Sequence, residues 1–212
     1  MDDGQRFQHP RFVRAYERLS AEADARGGRQ HRVRLLAGLS GRVVEIGAGN
    51  GRNFAHYPAA VDEVVAVEPE DRMRELAERA ATAAPVTVRV VAGHADAIPA
   101  ADGAFDAAVA SLVLCSVPDP VHALAELRRV LRPGGELRFY EHVRSRSGVV
   151  GALEDLVTPI YRRVAAGCHP NRRTAETIAA SGFEVVEIDR FAFGATRLAP
   201  PTAHVLGRAR RP

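Results

Sequence analysis

The run Val43-Val44-Glu45-Ile46-Gly47-Ala48-Gly49-Asn50-Gly51-Arg52-Asn53 constrains this chain more than any other stretch. A short apolar strand meets three glycines at alternate positions, and the pattern predicts a helix opening after them. Glycines there permit positive φ and let the backbone approach a ligand with no Cβ in the way. Strand, glycine turn and helix together make the first βα unit of a doubly wound sheet, where a nucleoside-type cofactor lies. Spacing narrows the choice of cofactor. The dinucleotide fingerprint is G-x-G-x-x-G, but here the order is G-x-G-x-G with Arg52 next. The later glycine, which allows close helix–strand packing beside a pyrophosphate, is missing. The alternative is a glycine turn with no ligand at all.

Further along, the chain alternates. Residues 64–67 read as a β-branched strand, and residues 71–83 as a helix with Met73, Leu76 and Ala80 on one face. Residues 86–91 and 105–110 are the next strands. A helix over 121–131 is ended by Pro133-Gly134-Gly135, and 136–140 is the fifth strand. This β–α rhythm with short connections predicts a parallel sheet wrapped by helices. Residues 5–39 read as helical around a Gly27-Gly28 break and precede the first strand, so we expect an N-terminal cap over 1–40 and a cofactor domain over 41–212. A helical insertion interrupts the rhythm at about 147–171. A helix over 172–180 stops at Ser181-Gly182, and 183–191 and 203–207 are the last two strands.

Size and charge exclude several classes. At 212 residues with 46% apolar and 26% charged residues, the chain suits one soluble domain with a full core. The net charge is only +3, and the basic residues are mixed with acids, so no nucleic-acid partner is expected. The basic run Arg208-Ala209-Arg210-Arg211 reads as a frayed end. Two cysteines, Cys115 and Cys168, make no disulfide framework and fit a reducing compartment. The polar start and the lack of any run of ~20 apolar residues predict a cytoplasmic chain with no stable membrane insertion.

The E-x-G-x-G-x-G form of the loop resembles the first motif of class I S-adenosylmethionine-dependent methyltransferases. Other pieces occur in the order of that family across residues 42–141. They are Glu68-Pro69 at the end of the second strand, Gly93-His94-Ala95-Asp96-Ala97-Ile98-Pro99 after the third, Asp102-Gly103-x-Phe105-Asp106 with Ser111 to Val117, and Leu131-Arg132-Pro133-Gly134-Gly135. The resemblance implies a Rossmann-like, seven-stranded, mostly parallel sheet with helices on both faces, an antiparallel C-terminal hairpin and a helical N-terminal cap. It also implies S-adenosylmethionine as cofactor, with S-adenosylhomocysteine as product. Cofactor contacts are then expected from Glu45, Gly47, Ala48, Gly49, Asn50, Gly51 and Asn53 of the loop segment, and from Ser111 and Leu112 at the methyl end.

Glu68 stands about twenty residues beyond the first glycine, where a doubly wound fold sets an acid on ribose hydroxyls; a carboxylate accepts both hydrogen bonds of a vicinal diol. The other reading is a solvated strand-end acid. Pro69 follows it, and Met73 either packs on the adenine or belongs to the core. At the adenine edge the family's acid position is His94 here, and the acid falls two residues on, at Asp96. Either side chain, or the backbone at Ala95, reads that edge.

Segments around Cys115, Glu141-His142-Val143, Gly167-Cys168-His169 and 200–207 are similar to the membrane-anchored thiol methyltransferases of mammals. That similarity implies a small-molecule acceptor, with a thiol as one candidate. A lipid or quinone methyltransferase and a non-catalytic cofactor-binding module are the alternatives. His142, at the end of the fifth strand, is the first candidate for a base or orienting group, and His169 the second; a merely buried or solvated histidine is the competing explanation for each. Phe12, Tyr16, Cys115, Tyr161 and His169 are expected to line the acceptor pocket. Cys115 reads as a small buried hydrophobe rather than a nucleophile. No metal is expected, because Cys168-x-Pro170 lacks ligand spacing.

Overall fold

A computed structural model describes residues 7–197 and 200–212, except the side chain of Arg11. The elements, in order, are α1 (Pro10–Ala23), α2 (Arg29–Leu36), β1 (Gly41–Ile46), β2 (Val61–Glu68), α3 (Asp71–Ala81), β3 (Thr87–Ala92), β4 (Phe105–Ser111), α4 (Pro120–Val130), β5 (Leu131–His142), α5 (Gly148–Val164), α6 (Thr174–Ala180), β6 (Glu184–Phe193) and β7 (Thr202–Arg210). Seven strands form one sheet in the order β3-β2-β1-β4-β5-β7-β6. The first five pair in parallel, while β7 runs antiparallel to both β5 and β6. The order reverses between β1 and β4, which opens a crevice beyond the carboxyl ends of those strands.

Alternation along each strand sends side chains to opposite faces. Val44, Ile46, Val65, Val67, Ala108 and Leu137 face α4 and α6 through Leu124, Leu127 and Ile178. Val43, Val64, Ala66, Ala107 and Val109 face α2 and α3 through Leu35, Leu36 and Ala77. The central strands β1, β2 and β4 are covered on both faces over most of their length and read there as nearly continuous apolar runs, as buried parallel strands do.

Three expectations need correction. No full helix follows the glycine loop; the chain makes a single 3₁₀ turn over Phe54–His56. Asn53 and Tyr57, either side of that turn, are bonded inward to Glu45, which draws the segment back under the sheet. The helix before β5 ends at Val130, not at the Pro-Gly-Gly turn, because Leu131 already takes extended angles (φ −73°, ψ 140°); β5 therefore starts five residues earlier than the run 136–140 suggested. The basic C-terminal run is not frayed. Ala209 is fully buried, Arg208 pairs with Glu187 at 3.1 Å, and the Arg211 amide donates to the Gly135 carbonyl at 2.8 Å.

The N-terminal helices are tied to the glycine loop. A kink at Gly27 (φ +126°) separates α1 from α2. Beside it, Arg32 is buried and donates to the Asp24 carboxylate and the Asn53 side-chain Oδ1, both at 3.0 Å. Arg52 reaches the Glu17 carbonyl at 3.3 Å, and Asn50 reaches the Ser20 hydroxyl at 3.4 Å.

Helix α5 is built the other way out. Its buried positions are Gly151, Glu154 and Thr158. Glu154 accepts from the Ser145 amide at 2.7 Å, and Asp155 pairs with Arg144 at 2.9 Å. Val149, Leu153, Leu156, Ile160 and Val164, spaced three and four apart on one stripe, are each more than half exposed. Among the described residues no helix is long and apolar enough to cross a membrane.

Candidate active site

Two adjoining clefts lie beyond the carboxyl ends of the parallel strands. The first, of about 190 Å³, is lined by Gly47, Gly49, Glu68, Pro69, Met73, His94, Ala95, Ser111 and Leu112, with Phe12 and Tyr16 of α1 above. The second, of about 950 Å³, is lined by Cys115, Tyr140, His142, Tyr161, Cys168 and His204. Both share Phe12, Tyr16, Leu112, Ser116, Ala165 and Ala166, so they meet at the mouth of β4.

The loop geometry follows from its glycines. Gly47 has φ +59°, and a Cβ there would lie 2.3 Å from the Val113 side chain; no other residue fits. Gly49 has φ +57°, yet a Cβ there meets only the Tyr16 ring, at 3.7 Å. That position faces the cleft, so its backbone is bare toward a ligand.

Glu68 is buried, and both its oxygens are partly spent. Oε2 accepts the Gly49 amide at 2.8 Å and Oε1 the Glu70 amide at 3.0 Å. Each carboxylate oxygen has two lone pairs, so one acceptor site per oxygen is left for a diol. Burial raises this carboxyl above its ordinary value, and the two N–H donors pull the other way. Glu70 accepts the Met73 amide at 2.6 Å, capping α3 and seating Met73 in the cleft wall. The Ser111 hydroxyl, buried in the same wall, has no hydrogen-bond partner among the described residues. A buried polar atom without a partner is costly, and a polar ligand in the cleft would supply one.

Three of the remaining loop positions, Glu45, Asn50 and Asn53, are tied into the surrounding fold. Glu45 is fully enclosed below the cleft, with Asn53 donating to Oε1 at 2.7 Å and Tyr57 to Oε2 at 2.8 Å. Burial pushes its carboxyl up to about 7, against the pull of those two donors. Ala48, Asn50, Gly51 and Asn53 lie outside the first cleft lining, Asn50 and Asn53 being engaged with the N-terminal helices. His94 stacks on Phe7 at 5.2 Å and pairs with Asp96; His94 and Ala95 line the cleft, and Asp96 is not in its lining.

At the shared mouth, Leu112 has φ +57°, a left-handed conformation that a Leu rarely adopts. Its amide donates to the Tyr140 carbonyl at 2.7 Å. Next to it, the Glu141 carboxylate accepts the amides of Val113 (3.0 Å), Leu114 (2.9 Å) and Cys115 (3.0 Å). This buried acid holds the whole turn; burial pushes its carboxyl well above the usual range, opposed by the three N–H donors. Strained backbone held by such contacts is a common mark of functional sites.

In the second cleft the His142 Nδ1 lies 3.7 Å from the sulfurs of both Cys115 and Cys168, which are 3.5 Å apart. The Cys168 sulfur beside it and its own burial hold the Cys115 thiol well above its ordinary value. His204 packs on His142 at 4.4 Å, and burial pushes it down to about 3. Burial holds the Tyr161 hydroxyl up at about 12. His169 lines neither cleft; its amide bonds the Cys115 carbonyl at 2.7 Å, and burial, then Arg172, lower its ring. Sequence patterns did not single out Cys168, Tyr140 or His204 as cleft residues. They come from different elements, and only the β5–β7 register brings His142 opposite His204.

A family model described as a methyltransferase domain matches residues 44–139. The thiol S-methyltransferase TMT1B of Homo sapiens is 33% identical over 183 residues, covering 84% of this chain and 74% of that protein. Among solved structures, a SAM-dependent methyltransferase from Thermotoga maritima aligns with a TM-score of 0.70 at 25% identity, over 95% of this chain and 97% of that one. A geranyl diphosphate C-methyltransferase from Streptomyces coelicolor, solved with S-adenosylhomocysteine, shares the fold at a TM-score of 0.65 and 15% identity, over 87% and 77% of the two chains. With the glycine loop, the buried strand-end acid and the orphaned serine in one cleft, the assignment follows: this chain belongs to the class I S-adenosylmethionine-dependent methyltransferases, and S-adenosylmethionine is its cofactor.

Proposed function

We propose that the protein methylates a small-molecule thiol that enters the second cleft. The observation that carries this reading is the 33% identity to a thiol S-methyltransferase across 84% of the chain. S-Adenosylmethionine supplies a methyl group already activated on a sulfonium. Glu68 would take the ribose diol, Met73 and Pro69 the adenine face, His94 and Ala95 its edge, and the bare backbone at Gly47 and Gly49 the methionine end. Phe12 and Tyr16 roof both clefts and exclude water.

What remains for the protein is positioning. Holding acceptor and methyl carbon in line can be worth ~7–11 kcal/mol. Leu112 and Ser116 are common to both clefts and border the place where they meet. His142, in the lining of the second cleft, would orient an acceptor or take its proton. A thiol needs little help here, since its ordinary pKa of about 8.5 lies well below a phenol's near 10.

The test is a panel of thiols, phenols, amines and quinols, scored by S-adenosylhomocysteine formation. Thiols should lead kcat/KM by at least about tenfold, the factor that ~1.4 kcal/mol of transition-state preference gives. Turnover of a phenol or quinol with no thiol turnover would refute the assignment.

A second reading, an apolar acceptor taken from a lipid phase, draws on α5. Its exposed apolar stripe ends beside Tyr161, Arg163 and Val164, which line the second cleft. Such a helix, with Arg162 and Arg163 in its last turn, suits an anionic interface. Under this reading the chain sediments with anionic liposomes at physiological salt, and Leu156→Glu with Ile160→Glu releases it. Full recovery of the unaltered chain in the supernatant would rule it out.

A further inference from the structure

Cys115, His142 and Cys168 stand 26, 27 and 53 positions apart in the chain. No local spacing announces them. The fold brings them together: Cys115 follows β4 on the turn held by Glu141, His142 ends β5, and Cys168 comes after α5. All three line the second cleft, and one ligand atom of each lies within 4.8 Å of the others.

The triangle they form has a definite size. Its edges are 3.5 Å between the sulfurs and 3.7 Å from each sulfur to the His142 Nδ1. A tetrahedral zinc ion with Zn–S of about 2.3 Å and Zn–N of about 2.05 Å sets its ligands about 3.8 Å (S···S) and about 3.6 Å (S···N) apart. The observed edges match these within a few tenths of an ångström. A disulfide, by contrast, would require the sulfurs to close to about 2.05 Å.

We propose that Cys115, Cys168 and His142 bind one zinc ion whose fourth position opens into the acceptor cleft. Three protein ligands and one open site is the arrangement of catalytic zinc, while structural zinc is closed by four. Charge also balances. Two thiolates and a neutral imidazole make a divalent ion neutral overall, which suits a buried place, and binding releases one proton from each cysteine. The turn that carries Cys115 is held by three hydrogen bonds to Glu141, and Cys168 is fixed by the hydrogen bond its backbone N–H donates to the Ala165 carbonyl at 3.0 Å. The ligands are thus set by backbone contacts that do not depend on the ion.

An acceptor thiol would take the open position as its thiolate, releasing one further proton to solvent; this part rests on the thiol reading above. Coordination of that kind keeps a thiol ionised at neutral pH, as metals do for bound thiols. The Cys115 and Cys168 side chains are then anchors for the ion.

The test uses the full chain produced in zinc-supplemented medium under reducing conditions. Metal analysis after gel filtration should find about one zinc per chain, and Cys115→Ser, Cys168→Ser and His142→Ala should each fall to near none. Cofactor affinity, measured by calorimetry, should stay near wild type and report that each variant is folded. If a variant fails to fold, X-ray absorption on the unaltered protein decides: two sulfur ligands and one imidazole nitrogen support the site. Reduced, cofactor-binding wild type that retains no zinc would overturn it, as would a Cys115–Cys168 disulfide in the native protein or zinc content unchanged in all three variants. The two readings separate cleanly. Zinc bound at these residues in a protein that methylates no thiol supports the site and overturns the acceptor; full thiol turnover after chelator strips the zinc overturns the ion's part in acceptor binding.

Discussion

In the site proposed above, Glu68 is shared between fold and ligand. It holds the Gly49 and Glu70 amides at 2.8 and 3.0 Å and keeps one acceptor site per oxygen. Glu68→Ala would therefore lose the brace on the loop together with the proposed diol contacts. Loss of a charge-assisted hydrogen bond costs ~1.5–3 kcal/mol, so calorimetry should show S-adenosylmethionine affinity reduced by about tenfold to a hundredfold. Gly49→Val should weaken binding at least as much, because a β-branched residue at φ +57° is strained and points at Tyr16. Unchanged affinity in both would remove Glu68 and Gly49 from the cofactor site.

At the scale of elements, α1 and α5 enter the crevice from opposite ends of the alternating core. Tyr16 lies against the Gly49 position and borders both clefts, whereas Tyr161 borders the second alone. Replacing either by Phe removes a hydroxyl with little change of volume. If these helices select the acceptor, Tyr161→Phe should alter acceptor kcat/KM by a few-fold and leave cofactor affinity unchanged, while Tyr16→Phe should touch both. Steady-state kinetics beside calorimetry separates the two, and equal behaviour of the variants would argue that both tyrosines merely pack.

The whole molecule carries two buried groups whose titration opposes each other. Glu45 is raised from 4.5 to about 7, so the folded state keeps a proton that the unfolded chain has lost between those pH values. Stability from this group is full below about pH 4.5 and declines as pH rises through 7, by up to about 3 kcal/mol. His204 is lowered from 6.5 to about 3; the folded state refuses a proton that the unfolded chain takes, so its contribution is full above pH 6.5 and is lost as pH falls toward 3. Urea melts across pH 4–8 should show Glu45→Gln gaining stability relative to wild type as pH rises from 4.5 to 7. His204→Phe should gain relative to wild type as pH falls below 6.5. Differences independent of pH would mean that neither group titrates in that range.

The order of β and α elements, the glycine loop and the acid at Glu68 were legible from local pattern, because each depends on residues within a few positions of one another. Strand β2 declared itself through Val64, Val65 and Val67, and the break at Gly27-Gly28 marked the kink between α1 and α2. Misreadings came where a distant contact overrides local preference. Glu45 draws Asn53 and Tyr57 inward and leaves a single turn where a helix was expected, and the pairing of β7 with β5 captures a basic end that composition alone would leave loose. The sequence by itself determined a cofactor-binding α/β sheet and its glycine cradle. Only the tertiary structure decided that Cys115, His142, Cys168 and His204 share one cleft, since strand register and crossover, not spacing along the chain, bring side chains from four separate segments within reach.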